Sequence, residues 1–149
     1  MKITYKGDYS LKVILELACS YPDRLVHIEE ISRKQDIPRK FLEQILLNLK
    51  RGGFLISKKG AKGGYSLAKS PRDITLGEVV RYIEGSVYPI SCVDCDSPTP
   101  CGELSACVFA PVWRAVGDSI SGIIDSINFE SLKEDYLLKK NGYIPDFQI

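Results

Sequence analysis

Five cysteines and a single histidine are the side chains in this 149-residue sequence best suited to chemistry. Four of them, Cys92, Cys95, Cys101 and Cys107, fall within the segment CVDCDSPTPCGELSAC. That segment is polar and broken by Pro98 and Pro100, so it cannot be a packed core element. Thiols gathered in this way could form disulfides, grip zinc, hold an iron–sulfur cluster, or serve as a metal-free redox switch. There is no charged-then-apolar leader and no apolar run of about 18 residues, which predicts a soluble, cytoplasmic chain with no membrane partner. In a reducing cytoplasm, clustered cysteines serve metals or redox chemistry more often than structural disulfides. Four-cysteine zinc sites usually consist of two Cys-x-x-Cys pairs, and only Cys92/Cys95 makes one here. The fifth cysteine, Cys19, stands beside Ala18 in a helical pattern and reads as a small core residue. His27 reads as a surface or capping residue. No Ser/His/Asp set surrounds it, and neither paired carboxylates nor a dinucleotide fingerprint stands out, so an enzyme is not expected.

The elements that must carry these groups divide by charge. Residues 1–72 hold 15 Lys/Arg and 7 Asp/Glu, a balance of +8, while residues 73–149 hold 5 and 12, a balance of −7. Such segregation suggests that the first part meets a polyanion and the second does something else. In the basic part, Leu11, Ile14, Leu15 and Ala18 predict a first helix starting at Asp8 or Ser10 and ending about Ser20. A second short helix follows His27. Asp36-Ile37-Pro38 makes a tight connection to a third, which runs to about Arg51 before Gly52-Gly53. Phe41, Leu42, Ile45, Leu46 and Leu49 form its apolar stripe, with Arg39, Lys40, Glu43 and Gln44 opposite.

Two helices joined by a short turn, the second presenting cations and an amide at its start, describe a helix-turn-helix. Phe54–Lys59 and Tyr65–Ala68 then read as strands around the turn Gly60-Ala61-Lys62-Gly63-Gly64. Strand returning to strand excludes a nucleotide phosphate loop, which needs a strand entering a helix. A glycine-rich, lysine-bearing hairpin after a helix-turn-helix is a wing. The expected contacts to double-stranded DNA are Arg39, Lys40, Glu43, Gln44, Lys58, Lys59, Gly60, Lys62, Gly63 and Tyr65. In the acidic part, Thr75 and Glu78 predict a capping box for a helix to about Glu84. Pro111 opens a long helix to about Ile127. Its apolar residues Val112, Ala115, Val116, Ile120, Ile123, Ile124 and Ile127 make a stripe wide enough to bury on two sides, which a second copy of the chain would cover. From about Asn141 the chain reads as an extended tail.

The fold class is therefore mainly α with a small β-hairpin wing: a winged helix-turn-helix domain over 1–72, then 73–149 with a helix, a cysteine-rich loop at about 87–110, a dimerisation helix at about 111–127 and the tail. On Tyr5-Lys6-Gly7-Asp8-Tyr9, Phe41-Leu42-Glu43-Gln44, Lys59 through Leu67, Ile74 through Val80, and the cysteine segment followed by Trp113, the sequence resembles the IscR/NsrR family of winged-helix regulators. The resemblance implies a homodimeric transcription regulator that reads a palindromic operator and carries an iron–sulfur cluster, 2Fe–2S or 4Fe–4S, sensing redox state or nitric oxide. It implies Cys92, Cys101 and Cys107 as ligands, since eight residues separate the first two and five the last two. The histidine that IscR-type members place three residues after the third cysteine is Ala110 here. The fourth-ligand candidates are Cys95 and Asp8, the latter at the position where some NsrR-type members offer an acidic ligand from the partner subunit. For Asp8 the competing role is an N-cap. The alternatives are zinc, a metal-free thiol switch, or a regulator acting through a partner protein.

Overall fold

The computed structural model describes residues 1–96 and 98–142. Three helices come first: α1 (Tyr5–Ser20), α2 (Ile28–Gln35) and α3 (Arg39–Arg51). α1 begins earlier than its apolar spacing indicates. Thr4 is its N-cap and accepts the Gly7 amide on its side chain. Glu84, eighty residues on, accepts both the Thr4 amide (2.8 Å) and the Thr4 hydroxyl (2.7 Å). Asp8 and Ser10, the two expected starts, lie inside the helix. Ser10 Oγ donates back to the Lys6 carbonyl, and Asp8 pairs with Lys12 at 2.7 Å. Asp8 is thus no N-cap, because a distant carboxylate and Thr4 together finish that end.

The turn between α2 and α3 is closed by Asp36 in the left-handed region (φ 52°), which aspartate tolerates better than most residues. The Ile37 amide donates to the Ser32 carbonyl, and Ser32 Oγ donates to the Ile37 carbonyl. Each helix buries one stripe. Val13, Ile14 and Leu17 meet Ile31 and the α3 residues Leu42, Ile45, Leu46 and Leu49 in one core. Burying side chains of this kind stabilises by roughly 1.5–3 kcal/mol each, before chain entropy is subtracted. Phe41 departs from the expected stripe. It is exposed and lies edge-on against Tyr9, with ring centroids 5.9 Å apart, because the first turn of α3 overlooks the outer face of α1. Cys19 is half buried rather than a core residue, and burial pushes its thiol pKa up, with Glu16 adding to the effect.

Glu16 is 3% exposed and accepts hydrogen bonds from Lys34 (2.8 Å) and Gln35 (2.9 Å), which ties α1 to α2. Lys34 also pairs with Glu30, which Arg24 grips with both guanidinium nitrogens. Those two cations hold the Glu30 carboxyl down from its ordinary 4.5 to about 2. A depressed acid contributes stability that is present above its unfolded pKa and is lost as pH falls through the folded one. The urea midpoint should therefore drop between pH 4.5 and about 2. Glu30→Gln should lower stability at neutral pH and flatten that drop; an unaltered slope would show that the pair carries none of it.

β1 (Leu55–Lys58) and β2 (Gly64–Leu67) are antiparallel, with Leu55 opposite Leu67 and Lys58 opposite Gly64. Val26 adds one bridge to β2, exchanging both backbone hydrogen bonds with Tyr65 at 2.8 and 2.9 Å. Gly64 sits there at φ 138°, and a Cβ would come 2.7 Å from the Val26 carbonyl oxygen, so the bridge requires glycine.

α4 (Leu76–Glu84) starts at Thr75, whose hydroxyl accepts the Glu78 amide at 3.1 Å. The reciprocal half of the expected capping box is not made, because the Glu78 carboxylate pairs with Lys69 instead. The long helix is α5 (Ala110–Asp125), two residues shorter at its end than expected. The chain turns there as the Leu76 amide donates to the Ile127 carbonyl and the Phe129 amide to the Ile74 carbonyl. A further helix, α6 (Phe129–Lys140), was not foreseen. Asn128 caps it by accepting the Ser131 amide, and Phe129 enters the same core as Ile74 and Val79. Asn141 and Gly142 close α6 in a turn, and the rest of the expected tail lies outside the described residues. Among the described residues, no helix is long and apolar enough to cross a membrane.

Candidate nucleic-acid interface and cysteine segment

α3 and the hairpin present their polar side chains on one side of the molecule. Arg39, Lys40, Glu43, Gln44, Lys58, Lys59, Gly60 and Lys62 are all exposed. Gly63 is buried, its amide donating to the Gly60 carbonyl at 2.9 Å, and Tyr65 is half buried. The two thus shape the wing more than they face outward. Arg39 is held by two carboxylates, Glu29 at 2.7 Å and Glu43 at 3.3 Å. Lys40, Lys58, Lys59 and Lys62 carry no ion pair among the described residues, so their charge is available to a polyanion. Between α3 and the wing runs a groove of about 590 Å³, whose walls include Glu43, Lys50, Lys58, Lys59 and Tyr65.

His27 also lines that groove, a position that no pattern in the sequence indicates. It heads α2 through its carbonyl alone; the imidazole takes no part in the cap and is exposed. Its position follows from the bridge of Val26 to Tyr65, which ties the approach to α2 to the wing. Lys50 was likewise missed. Its ammonium reaches Ser57 of β1 at 2.5 Å and so braces α3 against the hairpin. Contacts that join a helix or its approach to the hairpin leave no local mark that could have announced either residue.

The cysteine segment begins in a single 3-10 turn, Ser91–Val93, anchored by buried Val93. Cys92 and Cys107 are half buried, Cys95 and Cys101 exposed, and all four are free thiols. From Asp94 to Phe109 the backbone hydrogen bonds among the described residues are local, such as those from Leu104 to Cys101 and Cys107 to Leu104, apart from one from Thr99 back to Ser91. Among the described residues, no three Cys, His, Asp or Glu side chains converge closely enough to hold an ion. The donor set itself suits soft, sulfide-bridged iron: three thiols on one segment that, past the Ser91–Val93 turn holding Cys92, forms no α-helix or strand among its described residues before α5. Cys95 stands apart. Its sulfur lies 3.5 Å from the Tyr88 hydroxyl, which also donates to Asp118 of α5 at 2.7 Å. Hydrogen bonding to Cys95, then to Asp118, pushes the Tyr88 hydroxyl pKa up. The Tyr88 ring lies across Gly117, where a methyl group would collide with it. Asp8, on the outer side of α1, is half exposed in its pair with Lys12.

α5 is apolar on two sides, and the described residues cover one of them. Ile124 is 8% exposed and packs with Val80 and Val87, with Ile120 alongside. Val112 (53%), Trp113, Val116 and Ile123 (62%) face outward.

The family model described as "Rrf2: Iron-dependent Transcriptional regulator" matches residues 3–135. An rrf2-like HTH-type transcriptional regulator of Rhodobacter capsulatus is 39% identical over 87% of this chain and 91% of the relative. The solved structure of CymR, "the Global Cysteine Regulator of B. subtilis", superposes with a TM-score of 0.74 at 28% identity, covering 90% of this chain and 97% of that one. The structure of T. potens IscR does so with a TM-score of 0.69 at 29% identity, covering 91% and 88%.

Proposed function

This chain belongs to the Rrf2 family of DNA-binding transcriptional regulators, and from that premise we propose that it is a homodimer whose operator affinity is governed by an iron–sulfur cluster on the cysteine segment. The observation that carries the DNA-binding part is the set of exposed lysines, Lys40 on α3 and Lys58, Lys59 and Lys62 on the wing, none in an ion pair among the described residues, with Lys58 and Lys59 lining the groove between α3 and the wing. Lys40, Lys58, Lys59 and Lys62 neutralise phosphates, and Gln44 offers an amide to a base edge. Arg39, buttressed by Glu29 and Glu43, is presented in a fixed direction rather than as a free charge. The exposed side of α5 receives the same side of a second copy, which sets two recognition helices against a palindromic site.

Cys92, Cys101 and Cys107 would hold the cluster, and Asp8 of the partner subunit or Cys95 would complete it. A cluster bound there supplies thiolate-ligated iron open to oxidation and to nitric oxide. The chain's own part is to fix the start of the segment. Val93 anchors the start, and Tyr88 pins Cys95 to Asp118 on α5. Asp8 is available for the ligand role because Thr4 and Glu84 already cap α1. The similarity to CymR supports a second reading, a thiol switch that needs no iron, and zinc is a third.

Lys62→Ala should weaken binding to all duplexes alike and reduce the salt slope by about one, as for a phosphate contact. Gln44→Ala should instead alter which base is preferred within duplexes selected from a random pool. If neither variant changes binding, the helix-turn-helix assignment is wrong.

A further inference from the structure

Tyr82 of α4 grips the end of α3 and the root of the wing at once. Its hydroxyl lies 2.9 Å from the Asn48 carbonyl oxygen and 3.1 Å from Asn48 Oδ1, in the last turn of α3. Its ring meets Phe54, just before β1, edge-on with centroids 5.3 Å apart. The same ring covers Gly52, where an added Cβ would come within 2.5 Å of Cζ. The neighbouring residue reaches the other way. Arg81 clamps Asp125 of α5 with two hydrogen bonds, 2.6 and 2.9 Å, and this pairing holds the Asp125 carboxyl below its usual range. Two adjacent side chains of one short helix therefore join the DNA-facing unit to the helix with the uncovered apolar side.

We propose that Tyr82 is a positioning residue for DNA recognition: by docking the last turn of α3 and the root of the wing onto α4, it fixes how the recognition helix is held relative to α5. The inference rests on α3 and the wing being the DNA-reading unit. A dimeric reader needs its two recognition helices about 34–36 Å apart, or a multiple of that, so a small rotation of α3 penalises matched sites. Binding to unmatched DNA depends on phosphate charge and tolerates the rotation. Loss of positioning should therefore lower specific affinity and spare non-specific affinity, which partial unfolding would not do.

The test compares wild type, Tyr82→Phe and Gly52→Ala, with Gln44→Ala alongside. Two duplexes serve as probes, one selected from a random pool by the wild-type protein and one scrambled. Tyr82→Phe keeps the ring and removes the hydroxyl, while Gly52→Ala displaces the ring at a backbone (φ −75°) that accepts alanine. Both should lower the ratio of selected to scrambled affinity about five- to tenfold, the worth of roughly one hydrogen bond, with scrambled binding unchanged. Equal losses on both duplexes with a lowered melting temperature would mean a merely structural role and overturn the proposal. So would a wild-type ratio in both variants while Gln44→Ala lowers it. A wild-type ratio in Gln44→Ala would remove the recognition-helix assignment itself, and the proposal with it.

Discussion

Ile123→Asp should sediment as a monomer at concentrations where the wild type is a dimer. Ile123 is 62% exposed on α5, in line with Val116 and Val112, and no part of the described chain covers that side. A two-fold interface along α5 buries the same residue from both copies, so one substitution places two carboxylates in the contact. An unpaired charge forced into an apolar interface costs at least ~4 kcal/mol, about a thousandfold in dissociation constant. Ile124→Asp makes the internal comparison. Ile124 packs on Val80 and Val87 of its own chain, so its replacement should lower the melting temperature before it changes the association state. A dimeric Ile123→Asp protein, or a monomeric wild type, would remove the α5 interface and the paired half-sites that depend on it.

What could be read from the sequence, and what could not, divides by the range of the interaction. The helix-turn-helix, the wing and α4 rest on spacing and turn chemistry within about ten residues, and they stand where the pattern placed them. Errors came where a distant group intervened. Glu84 completes the start of α1 and displaces Asp8 from the cap, and the strand-like turn at Asn128 ends α5 early and starts α6. α6 was missed because its apolar face is short, Phe129, Leu132 and Tyr136 at i, i+3 and i+7, while Leu137 and Leu138 fall off that face and blur the pattern. The candidate DNA-facing residues were legible as residue types, while the ion pairs that hold Arg39 and the entry of His27 into the groove were not. Both depend on how α2 approaches α3 and the hairpin, which no local window contains.

Protein purified without oxygen should carry visible absorption that Cys101→Ser abolishes and Cys95→Ala leaves close to wild type. Cys92, Cys101 and Cys107 are spaced along a segment whose backbone hydrogen bonds, among the described residues, reach no further than from Thr99 to Ser91, so the chain can draw three thiolates to one side of a cluster without breaking an α-helix or a strand pair. Cys95 is already engaged. Recruiting it as a ligand would cost the hydrogen bond to Tyr88 and loosen the link to Asp118 on α5. Asp8→Ala discriminates further. With Thr4 as the cap of α1, removing the Asp8 carboxylate costs only an exposed pair with Lys12, worth a few tenths of a kcal/mol, so the fold should be untouched. A changed spectrum in a protein of wild-type stability would then identify an oxygen ligand reaching from one subunit to the other. An unchanged spectrum in Asp8→Ala together with a bleached Cys95→Ala protein would reverse the assignment. A colourless wild type containing zinc would leave the zinc reading in place of the cluster, and one with no metal at all would leave the thiol switch. In that case Cys101→Ser should alter the response of DNA binding to oxidants rather than any spectrum.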